Sequence, residues 1–187
     1  NAVRARSGGA KAHLVGILSN LSYNLDFFKQ IHIWSYEDLL DKIPESKVLT
    51  KHNPFKTKKN LIQELFWEKF LFPYFLKKNK CEILLNVDAG SVAKFRSSVT
   101  MSRDMLSYEP GEMDRYPMGF DKLRLQLIKY VQNRSFRNSS GVIFLTRYAS
   151  SEIQKSCGKL ENFTHIPHGI KNIFRINKKN NILNKTK

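Results

Sequence analysis

The chain has 187 residues, a length that suits one α/β domain and is too short for two. Its 32 lysines and arginines outnumber its 16 aspartates and glutamates, so the formal net charge is +16. This excess favours anionic partners such as nucleic acid, acidic lipid or phosphorylated substrates, although a compositional drift towards lysine and asparagine accounts for it equally well. Aromatic residues make up 12% of the chain, which excludes a disordered polymer.

The two cysteines, Cys81 and Cys157, lie far apart and form no CxxC pair, so we expect reduced thiols in a cytoplasmic protein. A zinc site built from Cys157, His165 and His168 would have a spacing that fits no standard pattern, and we expect no metal and no cofactor. We also expect neither a signal peptide nor a membrane span. The most apolar stretch, 61–76, is short and contains charged residues and a proline.

The spacing of apolar residues predicts helices and strands in alternation over most of the chain. Residues 1–7 show no periodic pattern and are predicted to form a loop. The predicted helical segments cover 10–23, 36–41, 54–78, 120–138 and 149–158, and Pro73 should kink or end the third of them. The predicted strands cover 31–35, 48–50, 82–87, 98–101, 141–146 and 163–166.

This alternation predicts an α/β fold with a Rossmann-like, doubly wound parallel sheet. We assign residues 1–170 to this domain and the lysine- and asparagine-rich residues 171–187 to a linker or a disordered basic tail. In such folds the ligand binds beyond the carboxyl ends of the strands. The side chains at those positions are Asp88, Arg103, Asp104, Thr146 and His168.

A glycine pair, Gly8 and Gly9, stands directly before a predicted helix. Glycines let the backbone approach a ligand closely, and a helix N-terminus offers free N–H groups. The pair therefore favours a phosphate site. A plain loop before a helix is the alternative interpretation.

Two further segments follow predicted strands and carry polar side chains. Arg103 can hold a phosphate through two hydrogen bonds, and Asp104 can accept from sugar hydroxyls or orient the arginine. A surface ion pair of little energetic value is the alternative for these two residues. His168 stands between Pro167 and Gly169, which predicts a hinge that carries one polar side chain, or else an ordinary turn.

Two predicted helices carry patterns that suit a membrane surface. The segment 61–76 holds an aromatic stripe between lysine clusters, which either lies in a membrane interface or packs on the sheet. The helix from Phe120 has a basic polar side, typical of a solvated face but also suited to anionic lipid or nucleic acid. The aromatic residues of the stripe are Phe66, Trp67, Phe70, Phe72, Tyr74 and Phe75.

The order and spacing of five segments resemble the N-terminal domain of the family four glycosyltransferases. Those are retaining enzymes of GT-B fold, with two Rossmann-like domains. The resemblance covers most of residues 7–174 and rests on segments of moderate specificity. They are Gly8–Gly9 with the helix that follows, 98–106, 123–138, 141–149 and 166–170.

The resemblance implies that the chain is the acceptor-binding half of such an enzyme. The enzyme would transfer a sugar from a nucleotide-sugar donor to a polysaccharide, glycolipid or other acceptor with retention. Gly8 and Gly9 would donate to the donor phosphates, Arg103 would supply charge, and Asp104 would orient Arg103 or an acceptor hydroxyl. The cleft rim or hinge would hold Asp88, Thr146 and His168.

The implied partners are the nucleotide-sugar, a glycan or lipid-linked acceptor, and a C-terminal donor-binding domain. The basic surface adds peripheral contact with an anionic inner membrane, and we expect no specific nucleic acid. The alternative is a basic nucleic-acid-binding or membrane-surface-binding module without catalysis, whose binding through phosphates would weaken steeply with salt.

The sequence departs from the family pattern at three points. Many relatives carry a histidine where Arg103 stands, the first strand has no room before Ser7, and the second domain with its acidic donor motif has no counterpart. We therefore expect a fragment truncated at both ends that alone transfers little or no sugar.

Overall fold

A computed structural model describes residues 1–6, 8–20, 28–55 and 60–169. Among these residues the helices are α1 (Gly8–Ser19), α2 (Glu37–Leu40), α3 (Leu61–Phe66), α4 (Phe72–Lys78), α5 (Phe120–Asn138) and α6 (Arg147–Cys157). The strands are β1 (Ile31–Trp34), β2 (Leu49–His52), β3 (Leu84–Asn86), β4 (Ser98–Ser102), β5 (Gly141–Phe144) and β6 (Phe163–His165). A π-helical turn (Trp67–Leu71) joins α3 to α4, and a 3₁₀ turn spans Glu112–Arg115.

All the strand pairs of the described residues are parallel. β1 pairs with β2, and β3, β4, β5 and β6 form a second sheet in that order. Parallel strands need crossover connections, and here α3, the π turn and α4 connect β2 to β3, α5 connects β4 to β5, and α6 connects β5 to β6. The predicted α/β class with a parallel sheet is therefore confirmed, and the arrangement is compatible with a Rossmann-like fold.

Residues 1 and 2 lie between the two sheets and bond to both. The Asn1 nitrogen donates to the Leu85 carbonyl (2.8 Å), and the Asn1 carbonyl accepts from Val87 N–H (3.2 Å). On the other side, Ala2 N–H donates to the Trp34 carbonyl (3.0 Å). The predicted loop thus pairs as a strand does before it turns, and the strand positions run β2, β1, residues 1–2, β3, β4, β5 and β6.

The predicted long helix passes Pro73 by widening into the π turn. Asn60 caps its first turn, because the side chain accepts from the Gln63 N–H at 2.9 Å. Proline has no N–H to donate and disturbs the carbonyls of the preceding turn. The Phe72 N–H bonds five residues back, to the Trp67 carbonyl, so the turn absorbs the proline and the helix continues to Lys78.

The aromatic run of this helix divides between core and surface. Trp67 and Phe72 are buried against Trp34 and Phe55, in a cluster that also holds Val3 and Leu84. Other members of the run lie on the outer side and are more than half exposed; they are Phe66, Phe70 and Tyr74. The core interpretation of the stripe is therefore right for one side of the helix only.

A buried carboxylate, Glu68, joins the π turn to two other segments, residues 1–4 and 91–92. Its side chain is 1% exposed. It accepts hydrogen bonds from the side chains of Asn1 (2.5 Å), Arg4 (3.2 Å) and Ser91 (2.7 Å), and from the backbone N–H of Val92 (3.2 Å). One turn earlier, Glu64 is also buried and contacts Arg6 and Tyr36. These contacts tie residues 1–6, which precede α1, to the helical segment that carries Glu64 and Glu68.

We expect Glu68→Ala to destabilise the protein by about 3–5 kcal/mol, because it leaves the guanidinium of Arg4 without its buried partner. Urea unfolding of the whole chain measures this loss. The matched control is Glu161→Ala, which removes an exposed carboxylate and should change the free energy of unfolding by no more than about 0.5 kcal/mol.

A double-mutant cycle distinguishes the contribution of the Arg4–Glu68 ion pair from the loss of other packing contacts of Glu68. In the Arg4→Ala background the additional cost of Glu68→Ala should fall by at least about 1 kcal/mol, because the two side chains are in contact. A fully additive double variant would contradict the proposed pairing.

Candidate functional site

Arg103 directly follows β4 at the carboxyl edge of the sheet. Its Nη1 donates to the Val87 carbonyl over a long 3.5 Å, and its Nε is buried without a hydrogen-bond partner among the described residues. Partial burial lowers the pKa of Arg103, and the neighbouring charge of Asp88 raises it. A buried arginine donor rarely stays unpaired in a folded protein. Nε is enclosed by protein atoms, but Arg103 as a whole is only half-buried, so its positive charge is within reach of an anion at this edge.

Two histidines meet beside this arginine. The rings of His13, on α1, and His168, after β6, have centroids 4.3 Å apart and stand nearly perpendicular, at 86°. Partial burial lowers the pKa of His13, and the charges of His168 and Arg103 lower it further. His13 is consequently neutral at pH 7, and its ring can accept a proton or a hydrogen bond from a hydroxyl.

The glycine pair forms the first residues of α1, four and five positions before His13. A Cβ at Gly8 or Gly9 would meet no atom within 4 Å, so packing among the described residues does not require glycine there. Both residues are exposed at the helix N-terminus. The space in front of them is open to a ligand that approaches the free N–H groups. Ser7 lies outside the described residues.

Asp88 follows β3 and belongs to a tight turn next to Arg103. Its Oδ1 accepts from the Gly90 N–H at 2.7 Å. A Cβ on Gly90 would lie 2.8 Å from that oxygen and 3.3 Å from Nη1 of Arg4. A larger residue at this position would push the Asp88 carboxylate aside, so glycine lets that carboxylate stay near both arginines.

Asp104 and Thr146 also follow strands, but local backbone groups use their side chains. Asp104 Oδ1 accepts from the Leu106 N–H at 2.9 Å, and the residue lines an open cavity of about 340 Å³ together with Glu109. Thr146 caps α6 by accepting from the Ala149 N–H at 3.0 Å. No described hydrogen bond or ion pair joins Asp104 to Arg103, so the orienting role predicted for Asp104 has no contact behind it.

Sequence reasoning missed His13. Its position four residues after Gly9 puts it one helical turn beyond the glycine pair, on the same side of α1. That spacing could have identified it once the pair was taken as a phosphate site.

The arrangement suits an anionic ligand that also carries hydroxyl groups. A half-buried arginine and the exposed N-terminus of α1 both favour negative charge. A neutral imidazole beside them can bind or deprotonate a hydroxyl. Within the described ranges, no group of three or more His, Cys, Asp or Glu side chains is placed to hold a metal ion.

Comparison with protein-family models, with curated proteins and with solved structures gives no match for this chain.

The pKa of His13 should respond to both of its charged neighbours. We expect the pKa of His13 to rise in Arg103→Gln and in His168→Gln, because each variant removes a neighbouring positive charge that disfavours the imidazolium. Nuclear magnetic resonance of the imidazole protons measures this pKa. Arg115→Gln, which removes an exposed arginine, should leave it unchanged, and a constant value in all three variants would mean that the groups do not form one site.

Proposed function

We propose that this chain is the acceptor-side domain of a retaining glycosyltransferase, and that the carboxyl edge of its sheet binds the phosphates of a nucleotide-sugar. The observation that carries the proposal is the half-buried guanidinium of Arg103, which forms no ion pair among the described residues and lies next to the His13–His168 pair. A departing nucleoside diphosphate needs positive charge and N–H donors where its negative charge develops.

Support also comes from the fold. In open parallel sheets ligands bind beyond the carboxyl ends of the strands, and Asp88, Arg103 and His168 follow three different strands at that edge. The resemblance of the sequence to the N-terminal domain of family four glycosyltransferases gives the reaction class. A polysaccharide, a glycolipid or another hydroxyl-bearing molecule would be the acceptor.

Each residue then has a chemical role. Backbone N–H groups at Gly8 and Gly9 would bind phosphate oxygens, and the guanidinium of Arg103 would neutralise charge. His13, neutral at pH 7, would accept from an acceptor hydroxyl. His168, which follows β6, would position the imidazole of His13 through contact between the two rings.

Binding of uridine diphosphate and guanosine diphosphate to the purified chain tests this role. We expect weak binding of a nucleoside diphosphate, observed as a phosphorus resonance shift. Arg103→Gln should lower the affinity about tenfold, the worth of one charge-assisted hydrogen bond. The matched control is Lys159→Gln, an exposed cation on the loop after α6, which should bind as the unaltered chain does.

Two outcomes would contradict the proposal. If Arg103→Gln and the unaltered chain bind the nucleoside diphosphate with equal affinity, this edge of the sheet is not the phosphate site. Tighter binding of a single-stranded oligonucleotide, with a steep salt dependence and no response to Arg103→Gln, would favour the nucleic-acid-binding alternative.

A further inference from the structure

The connection between β3 and β4 leaves part of the sheet uncovered. Parallel neighbours are usually joined by a helix that packs on the sheet, but residues 87–97 join these two strands without one. A groove of about 650 Å³ opens there, between α5 and the π turn. Ser98, at the amino end of β4, and Ser139, just before β5, line it, and Arg103 is not among its lining residues.

The floor of this groove, called the basic groove below because lysines and arginines line its rim, is polar although it is buried. Asn86, Ser91, Ser98 and Ser135 line it, and each is at most 8% exposed. Below them Thr100 is fully buried and bonds to Ser139 at 2.6 Å. A sheet face that merely lacked its covering helix would be apolar, because buried sheet faces pack hydrophobic cores. Polar side chains instead suit a groove that holds polar groups.

The rim of the groove is positively charged. Lys69, Lys94, Arg96 and Arg134 line it and are exposed, and the lining includes no aspartate or glutamate. Within the part of the chain that the structure describes, none of these four cations forms an ion pair. Their charge is thus available to an anion in the groove.

Two apolar stripes accompany the groove, one along α3, the π turn and α4, and the other along α5. The side chains of each stripe are more than half exposed. They are Ile62, Phe66, Phe70 and Tyr74 on one side, and Phe120, Leu123, Leu127 and Tyr130 on the other. Tyr130 itself lines the groove, and the Lys69 ammonium, on the opposite rim, lies 5.1 Å from the centre of the Phe70 ring. Each stripe therefore reaches the groove, one through Phe70 beside Lys69 and the other through Tyr130.

The acidic residues of these elements are few and mostly turned inward. Glu64 and Glu68 are buried and contact Arg6 and Arg4. On α5 the one acidic residue is Asp121, in the first turn. Apolar side chains beside unpaired cations, without exposed carboxylates between them, match the two layers of an anionic membrane surface.

We propose that this face docks on an anionic lipid bilayer. The two stripes enter the interface between headgroups and acyl chains, and a lipid phosphate occupies the basic groove between them. Exposed apolar stripes without the cations would suit a protein partner equally well. The four cations on the rim favour a membrane with anionic headgroups, because lipid phosphates complement their charge. The proposal does not depend on the phosphate site at Arg103, because neither Arg103 nor His13 nor His168 lines the groove.

Flotation of the whole chain with lipid vesicles tests the proposal. The chain should float with vesicles that mix phosphatidylglycerol into phosphatidylcholine, and much less with phosphatidylcholine alone. Lys69→Gln/Arg134→Gln should lower partitioning about 25-fold, since each interfacial cation contributes about fivefold. Phe66→Ser/Phe70→Ser should lower it about tenfold or more, through loss of the inserted rings.

The matched control loses the same amount of positive charge as Lys69→Gln/Arg134→Gln, but away from the groove. Lys47→Gln/Lys159→Gln removes two exposed cations that do not line the groove and should partition within about twofold of the unaltered chain. Circular dichroism of each variant verifies that it is folded, and Leu127→Ser/Tyr130→Ser on the second stripe repeats the apolar test on a different helix.

Three results would overturn the proposal. The first is equal flotation with anionic and neutral vesicles, or none with either. The second is an equal loss in the control pair, which would mean that total charge alone drives binding. The third is a dimer in solution that Phe66→Ser/Phe70→Ser converts to monomer, which would make a second copy of the chain the occupant.

Discussion

The carboxylate of Glu68 is the contact on which the rest of this structure depends. It lies in the π turn forced by Pro73 and is 1% exposed. It holds Asn1 and Arg4 on one side and Ser91 and Val92 on the other. A buried carboxylate is tolerated only where such partners satisfy its oxygens, so these segments are ordered together.

Both candidate sites follow from that one arrangement. On one side it holds Asn1 and Arg4, in the segment that precedes α1, and α1 carries the His13 that contacts His168. On the other it anchors the short β3–β4 connection, which carries no helix and leaves the basic groove open. The carboxyl edge of the sheet and the groove therefore have separate chemistry but share one structural anchor, and a nucleotide-dependent reaction at the edge is compatible with lipid binding at the groove.

The sequence predicts the class of the fold and part of the site, for physical reasons that can be named. The alternation of helices and strands predicts the parallel sheet. The rule that ligands bind beyond the carboxyl ends of the strands identifies Arg103 and His168. The rule cannot tell that Asp104 and Thr146 use their oxygens on nearby backbone N–H groups. The division of the aromatic run also escapes the pattern, because the π turn shifts the helical phase between Phe66 and Phe72. Pairing of residues 1–2 depends on contacts with Leu85 and Trp34, which are distant in sequence.

A crystal structure of the chain soaked with a nucleoside diphosphate tests the central claim most directly. The account predicts a phosphate within hydrogen-bonding distance of the Arg103 guanidinium and of the N–H groups that begin α1, with the His13 ring not bonded to it. A diphosphate bound only between Lys69 and Arg134, with the carboxyl edge empty, would contradict the assignment of that edge as the phosphate site.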